Sequence, residues 1–277
     1  MSDLGALPVQ AYLVACLLAG VIGLYLGRVA WRDRSEPGGT EVALYLWCSG
    51  GISLLYALLV ASGSELVMVV ALNLATPLVA AIPGIWMGFV LAFSGRDRWR
   101  TDDRIVAVAA PAFVWVLTVW SSATHGLSRR SLRSVVEGPF TLLGFGLGPA
   151  DWAFVLYAYG LCLAGALVVV DLYHRTGNRY RLQTFVILLG TVFPFLAGAV
   201  TVVDVGSYAN LAWFPSALVV HGVFLYGTVF WLGTLDAAVV ARDTAVEVMQ
   251  DPVVVTGSDG RIRDRNPAAE EILPPDA

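Results

Sequence analysis

The sequence predicts an all-α membrane protein, a seven-transmembrane helix bundle, with a short α+β segment at its C-terminal end. Three observations carry this prediction. Hydrophobic residues make up 57% of the 277 residues and charged residues only 14%, against roughly 25% charged in soluble domains. That leaves too little polar surface to clothe a water-soluble protein of this size. The apolar residues also fall into blocks of about 20, the length a helix needs to cross the hydrocarbon core of a bilayer. Beyond residue 235 the pattern changes, first to a polar stretch and then to a β-branched run with turn residues.

Taken in order, the apolar blocks predict spans at 8–31, 41–61, 66–93, 104–121, 151–173, 182–203 and 211–235. The first is preceded only by Asp3 and followed by Arg28, Arg32 and Arg34. That is the reverse of a secretory signal, so it reads as a retained helix with its N-terminus outside. All 17 basic residues are Arg. The connection after span three carries Arg96, Arg98, Arg100 and Arg104, and that after span five carries Arg175, Arg179 and Arg181, whereas the turns after spans two and six carry none. The positive-inside rule then places the odd-numbered connections and the C-terminus in the cytoplasm of a multi-pass cell-membrane protein. The connection 125–149 dissents with Arg129, Arg130 and Arg133, but is outnumbered by the three arginine-rich ones.

Within the spans, Pro77, Pro83, Pro111, Pro194 and Pro215 predict kinks, which neighbouring helices and waters make tolerable. Gly23/Gly27 and Gly84/Gly88 let backbones approach closely, and packing within the bundle is the expectation rather than a dimerisation motif. Cys16, Cys48 and Cys162 all lie in apolar segments, with neither a disulfide pattern nor metal-ligand spacing. They read as small packing residues. The absence of Lys excludes a retinal Schiff base.

The tail follows a different grammar. Over 236–250 it reads as a polar helical extension of span seven, with Leu235, Val239, Val246 and Met249 at three-four spacing and Arg242 interrupting them. A short two-stranded coiled coil and a solvated juxtamembrane helix both fit that spacing. Residues 253–256 are a β-branched run, 257–260 turn chemistry, and 261–265 a second strand able to pair back. Asn266 then serves as helix cap with Pro267 at the first helical position. A hairpin and one helical turn bury too little apolar area to fold alone, so the chain is expected to be a fragment of something longer.

Residues 253–256, Asp259-Gly260-Arg261-Ile262 and Asn266-Pro267-Ala268-Ala269 resemble the opening of a PAS domain, although Asp251-Pro252 stands where members usually carry Asp-Gly. The preceding region resembles the seven-transmembrane input module at the N-terminus of sensor histidine kinases. The stretches that carry this likeness are Gly148-Pro149-Ala150-Asp151-Trp152 with Tyr157 and Tyr159, Arg179-Tyr180-Arg181-Leu182-Gln183 leading to Gly190 and Pro194, and Val240-Ala241-Arg242-Asp243 through Val248-Met249-Gln250-Asp251. The resemblance implies a sensor domain over 1–235, a signalling helix over 236–250 and a truncated PAS domain over 251–277. It implies a homodimer, and downstream PAS and kinase domains or a response regulator as partners besides the lipid bilayer. No phosphoacceptor-His segment or ATP-binding box appears, so these residues are not expected to be a kinase themselves.

No Ser-His-Asp set, paired carboxylates or Cys/His cluster emerges, and no catalytic residue, metal or cofactor is expected. Nucleic-acid binding has no support. Among the histidines, His125 lies in the external connection and His174 at the cytoplasmic end of span five. His221 falls near the middle of span seven, where a polar residue is expensive. It reads either as a His satisfied by a neighbouring helix or as a ligand- or proton-sensing group. Asn73 and Asp204 are the other sensing candidates, with Trp213, Tyr208 and Tyr157 at the mouth of any pocket open to the outside and a small molecule as the unknown ligand. Gly144–Gly148 reads as flexibility in an external lid, and the arginines beside it as solvated charges or a lure for an anion. A small transporter or channel is the competing reading, though no inverted repeat supports it. A membrane enzyme lacks the polar pairs it would need.

Overall fold

The computed structural model describes residues 9–137, 140–175, 178–203, 212–232, 251–256, 262–265 and 267–270. The chain divides into two compact units, Met1–Thr234 and Leu235–Ala277. The helices of the first unit are α1 Val9–Arg32, α2 Gly39–Ser62, α3 Glu65–Phe93, α4 Asp102–Trp120, the short α5 Ser122–His125, α6 Pro149–Arg175, α7 Asn178–Val203 and α8 Phe214–Tyr226. A π-helical turn, Gly227–Trp231, continues α8. Seven of these helices are long and apolar enough to cross a membrane, α8 counted with its π-turn. Each predicted span is present, with ends displaced by no more than about one turn.

The helix ends follow from local chemistry. Gly38 at φ +81° and Gly63 at φ +59° bracket α2 in left-handed conformations, which a residue without Cβ adopts freely. Asp102 and Asp103 open α4 and Arg32 closes α1, charges that complement the helix dipole. Pro149 and Pro215 sit in the first turns of α6 and α8, where a missing N–H costs nothing.

Helix α2 packs against α1, α3 and α8 and supplies Tyr45, Leu46 and Ile52 to the fully buried core. Its buried Ser49 and Ser53 hydroxyls donate to the Leu46 and Ser49 carbonyls at 3.2 and 3.0 Å, so no hydroxyl is stranded in an apolar setting. Contact with α1 is backbone to backbone. A Cβ placed on Gly23 would lie 2.9 Å from the Gly50 Cα. The glycine spacing in α1 therefore serves packing within the bundle. The outward faces carry Leu17, Leu18 and Val21 of α1, Phe113 and Val114 of α4, and Leu156, Leu163 and Leu167 of α6, all exposed. In water such a surface would aggregate, whereas a bilayer requires it.

Between α4 and α6 the structure corrects an expectation. The glycine-rich connection is an ordered hairpin, β1 Arg130–Glu137 and β2 Phe140–Gly146, paired antiparallel with Ser134 opposite Leu143 and Val136 opposite Thr141. Gly144 faces Arg133 and Gly146 faces Arg130 across the ladder. Leu142 and Leu143 are buried in a cluster with Tyr12, Cys16, Met68 and Leu72. Apolar burial against α2 and α3 thus orders a segment that composition alone marks as loose.

At the opposite end of the bundle, arginines read only as topology markers hold helices together. Arg100, just past the 3₁₀ turn Asp97–Trp99, pairs with the buried Glu41 at the start of α2. Arg96 reaches Asp171 of α6 at 2.5 Å, and Arg175 meets the same carboxylate at 2.8 Å.

In the second unit, β3 Val254–Thr256 and β4 Ile262–Arg265 pair antiparallel, with Val254 opposite Arg265 and an irregularity between Val255 and Thr256. The helix α9, Pro267–Glu270, follows. Strand, strand and helix appear in the order the sequence predicts. The intervening turn, Asn266 and the 236–250 segment lie outside the described residues.

Candidate functional site: a capped cavity in the bundle

The site begins at the hairpin end with one carboxylate. Asp151 occupies the third position of α6, 3% exposed. Its Oδ2 accepts the backbone N–H of Gly148 at 2.9 Å, half of a capping box, and the backbone N–H of Arg129 at 2.9 Å. Its Oδ1 accepts the Trp115 indole N–H of α4 at 3.0 Å and the Ser128 hydroxyl. Four donors fill the roughly four lone-pair sites of an ionised carboxylate. Asp151 thereby ties α4, the entry to the hairpin and the start of α6 into one knot. The Ala150 N–H adds a bond to the Leu127 carbonyl at 3.0 Å.

That knot aims Arg129. Its backbone sits at φ +43°, an uncommon conformation for a residue with a Cβ. The guanidinium donates to Asn73 Oδ1 at 2.7 Å and to the Thr76 hydroxyl at 2.5 Å, both on α3. Thr76 can accept because its own hydroxyl proton goes to the Leu72 carbonyl at 2.8 Å. Burial pushes the Arg129 guanidinium below its ordinary pKa, opposed by Tyr56 and Asp151. Among the described residues, no carboxylate forms an ion pair with it.

At the inner end lies His221 of α8, 2% exposed. The Tyr45 hydroxyl of α2 meets its Nδ1 at 2.8 Å, and the Thr191 hydroxyl of α7 lies 3.4 Å from its Nε2. Thr191 already donates to the Ile187 carbonyl at 2.8 Å. It can therefore only accept, which makes Nε2 the protonated nitrogen and Nδ1 the acceptor for Tyr45. Trp86 of α3 packs on the imidazole with ring centroids 5.2 Å apart and donates its indole N–H to the Cys162 carbonyl of α6 at 3.2 Å. Five helices converge at this level.

Between the two polar ends the bundle holds a partly open cavity of about 280 Å³. Arg129, Asp151 and Phe145 line it near the hairpin, Phe154 and Phe195 at its sides, and Trp86 and His221 at the base. Pro83 of α3 and Pro194 of α7 are also in its wall. Each removes one backbone hydrogen bond from a wall helix, which leaves that helix easier to bend at the proline.

The structure places the predicted site residues unevenly. His221 lines the cavity with its ring nitrogens already engaged. Asn73 is not in the lining and instead steadies Arg129 from α3. Asp204 and Tyr208, together with Leu235, Val239, Arg242, Val246 and Met249 of the proposed signalling helix, lie outside the described residues. Tyr157 is not at the mouth, because its hydroxyl donates to the Val108 carbonyl of α4 at 2.5 Å. Trp213 packs edge-on against Tyr12, ring centroids 6.1 Å apart, on the α1 side. His125 closes its own turn, accepting the Leu127 N–H at 3.0 Å and meeting the Ser121 hydroxyl at 3.0 Å.

Sequence reasoning missed Asp151, Trp115, Thr76, Tyr45, Thr191 and the inward turn of Arg129. Only Asp151 had a local signal, its capping-box spacing from Gly148. The others meet across gaps of 30 to 176 residues, which no local pattern encodes.

Two comparisons bear on this arrangement. The family described as the N-terminal 7TM region of histidine kinase matches residues 15–238. No curated protein matches the chain.

Proposed function

Because the chain belongs to the family of N-terminal 7TM regions of histidine kinases, we propose that it is a membrane-embedded sensory input module whose stimulus acts at the capped cavity. The observation that carries this reading is the position of His221. It floors the cavity on α8, the helix that continues through a π-turn toward the C-terminal segment. A change of occupancy would alter the packing of Tyr45, Trp86 and Thr191 on that one imidazole. Pro83 and Pro194 give the cavity wall two places to bend. Isolated π-turns inside α-helices recur at functional positions, and this one lies where a shift of α8 would leave the bundle.

In the proposed topology the hairpin and N-terminus face outward and the C-terminal unit lies in the cytoplasm, as the arginine distribution supports. Residues 236–250 would carry the shift as a signalling helix into a PAS domain opening at 251 and onward to a kinase output, in a homodimer. A stimulus moves such an equilibrium only through differential affinity for its two states.

The test is a reporter in which residues 1–250 drive a histidine kinase output. His221→Ala leaves the Tyr45 hydroxyl without its acceptor in the core, and Asn73→Ala frees the Arg129 guanidinium. Both are expected to insert normally and to shift basal output several-fold. Wild-type output from both variants sinks the proposal. Reading the gene beyond codon 277 is expected to show the rest of a PAS domain, a phosphoacceptor His and an ATP-binding domain in frame.

A further inference from the structure

We propose that the cavity takes a water-soluble, medium-chain monocarboxylate, its head on Arg129 and its apolar chain directed toward Trp86 and His221. This inference names the ligand class for the sensory reading above and rests on that reading.

The charge balance is the first argument. An Arg guanidinium carries five N–H donors. Among the described residues two acceptors meet it, Asn73 and Thr76, both neutral. The nearby carboxylate of Asp151 acts on the guanidinium only at a distance, since four donors from Trp115, Ser128, Arg129 and Gly148 take up its acceptor sites. A partly buried cation thus lines the cavity with donors to spare, and a planar carboxylate matches the geometry of the guanidinium fork.

The rest of the lining narrows the class. Phe154, Val155, Phe195 and Leu218 make an apolar wall, and the base is polar only at groups already bonded to one another. Tyr45 donates to His221, while Thr191 receives His221 and donates to Ile187. Nothing there invites a second polar end, which argues against dicarboxylates and sugars. An amino-acid zwitterion would need an unfilled carboxylate for its ammonium, and Asp151 is filled. The volume sets the size. On the scale where a cavity of about 150 Å³ takes a benzene-sized ligand, about 280 Å³ suits one on the order of ten non-hydrogen atoms, the scale of octanoate to decanoate.

The experiment uses the full chain in phosphatidylcholine nanodiscs and follows tryptophan fluorescence as 10-bromodecanoate is added. Bromine quenches on contact, and Trp86 lines the inner end of the cavity. A saturable quenching component is expected, absent in Trp86→Phe, competed by decanoate and not by decanol or decanedioate. Arg129→Gln is expected to weaken it at least tenfold. Should that variant fail to fold, Ala158→Phe fills the chain end of the same cavity and must weaken binding to a similar degree. Quenching that never saturates, or decanol competing as well as decanoate, overturns the proposal. So does loss of binding in phosphatidylglycerol discs, which would assign the site to a lipid headgroup. Failure of binding leaves the sensory reading intact, because that reading stands on the reporter response of His221→Ala and Asn73→Ala.

Discussion

Asp151→Ala is expected to release the hairpin from the bundle and to cost the first unit on the order of 4 kcal/mol of stability. The substitution removes one side chain and strands four donors. Two of them, the backbone N–H groups of Arg129 and Gly148, have no rotamer with which to search for a new acceptor. A buried donor left unsatisfied costs about 1–3 kcal/mol, and water entering near the hairpin would recover part of that for Ser128 and Trp115. The first turn of α6 also loses the negative charge that complements its dipole. Thermal unfolding of the purified protein in detergent, together with limited proteolysis, reads the effect. A lower midpoint and early cleavage within 126–148 are expected. Asp151→Asn keeps one acceptor oxygen and should fall between Ala and wild type. Equal midpoints for all three proteins would falsify the knot described for Asp151.

Gly50→Leu is expected to be as damaging, through sterics instead of hydrogen bonding. A Cβ at Gly50 would meet the Gly20 carbonyl oxygen at 2.9 Å, the Leu24 nitrogen at 3.0 Å and the Gly23 carbonyl carbon at 3.2 Å. All three are backbone atoms of a continuous helix, so α1 can yield only by moving away as a body. Overpacking of this kind costs about 1–3 kcal/mol, and more when backbone must shift. Without water to drive helices together, close packing is a main source of association in a bilayer, so lost contact between α1 and α2 has few substitutes. Poor recovery of folded protein, or a midpoint as low as that of Asp151→Ala, is expected. Gly160→Leu is the control, since a Cβ there meets nothing within 4 Å. Should the two leucine variants behave alike, the contact does not carry the stability assigned to it.

The two predictions separate what could be read in the chain from what could not. The glycines of α1 were legible as a small-residue spacing because helical periodicity puts Gly23 and Gly27 along one side of a helix. Their partner, Gly50, was not legible, since nothing in α2 states which neighbour it will face. His221 was legible as a buried polar group at span depth. Its partners Tyr45 and Thr191 come from two other helices, and which of its two readings applies depended on their placement. The hairpin was misread as a flexible lid because Gly144, Gly146 and Gly148 carry turn chemistry locally. Burial of Leu142 and Leu143 beside Tyr12 and Met68 outweighs that local preference.

Membership in a seven-span family and the places where the chain crosses the bilayer could be read from residue order. The hydrocarbon core demands about 20 apolar residues per crossing and backbone hydrogen bonds that close within the same segment. Both demands are local, so a linear string can express them. The cavity, the saturation of Asp151 and the inward turn of Arg129 came only with the fold. Each is a meeting of groups far apart in the chain, Arg129 with Asn73 across 56 residues and Tyr45 with His221 across 176. Contacts of that range leave no period in the sequence, because they depend on how whole helices pack and not on the spacing of residues within one helix.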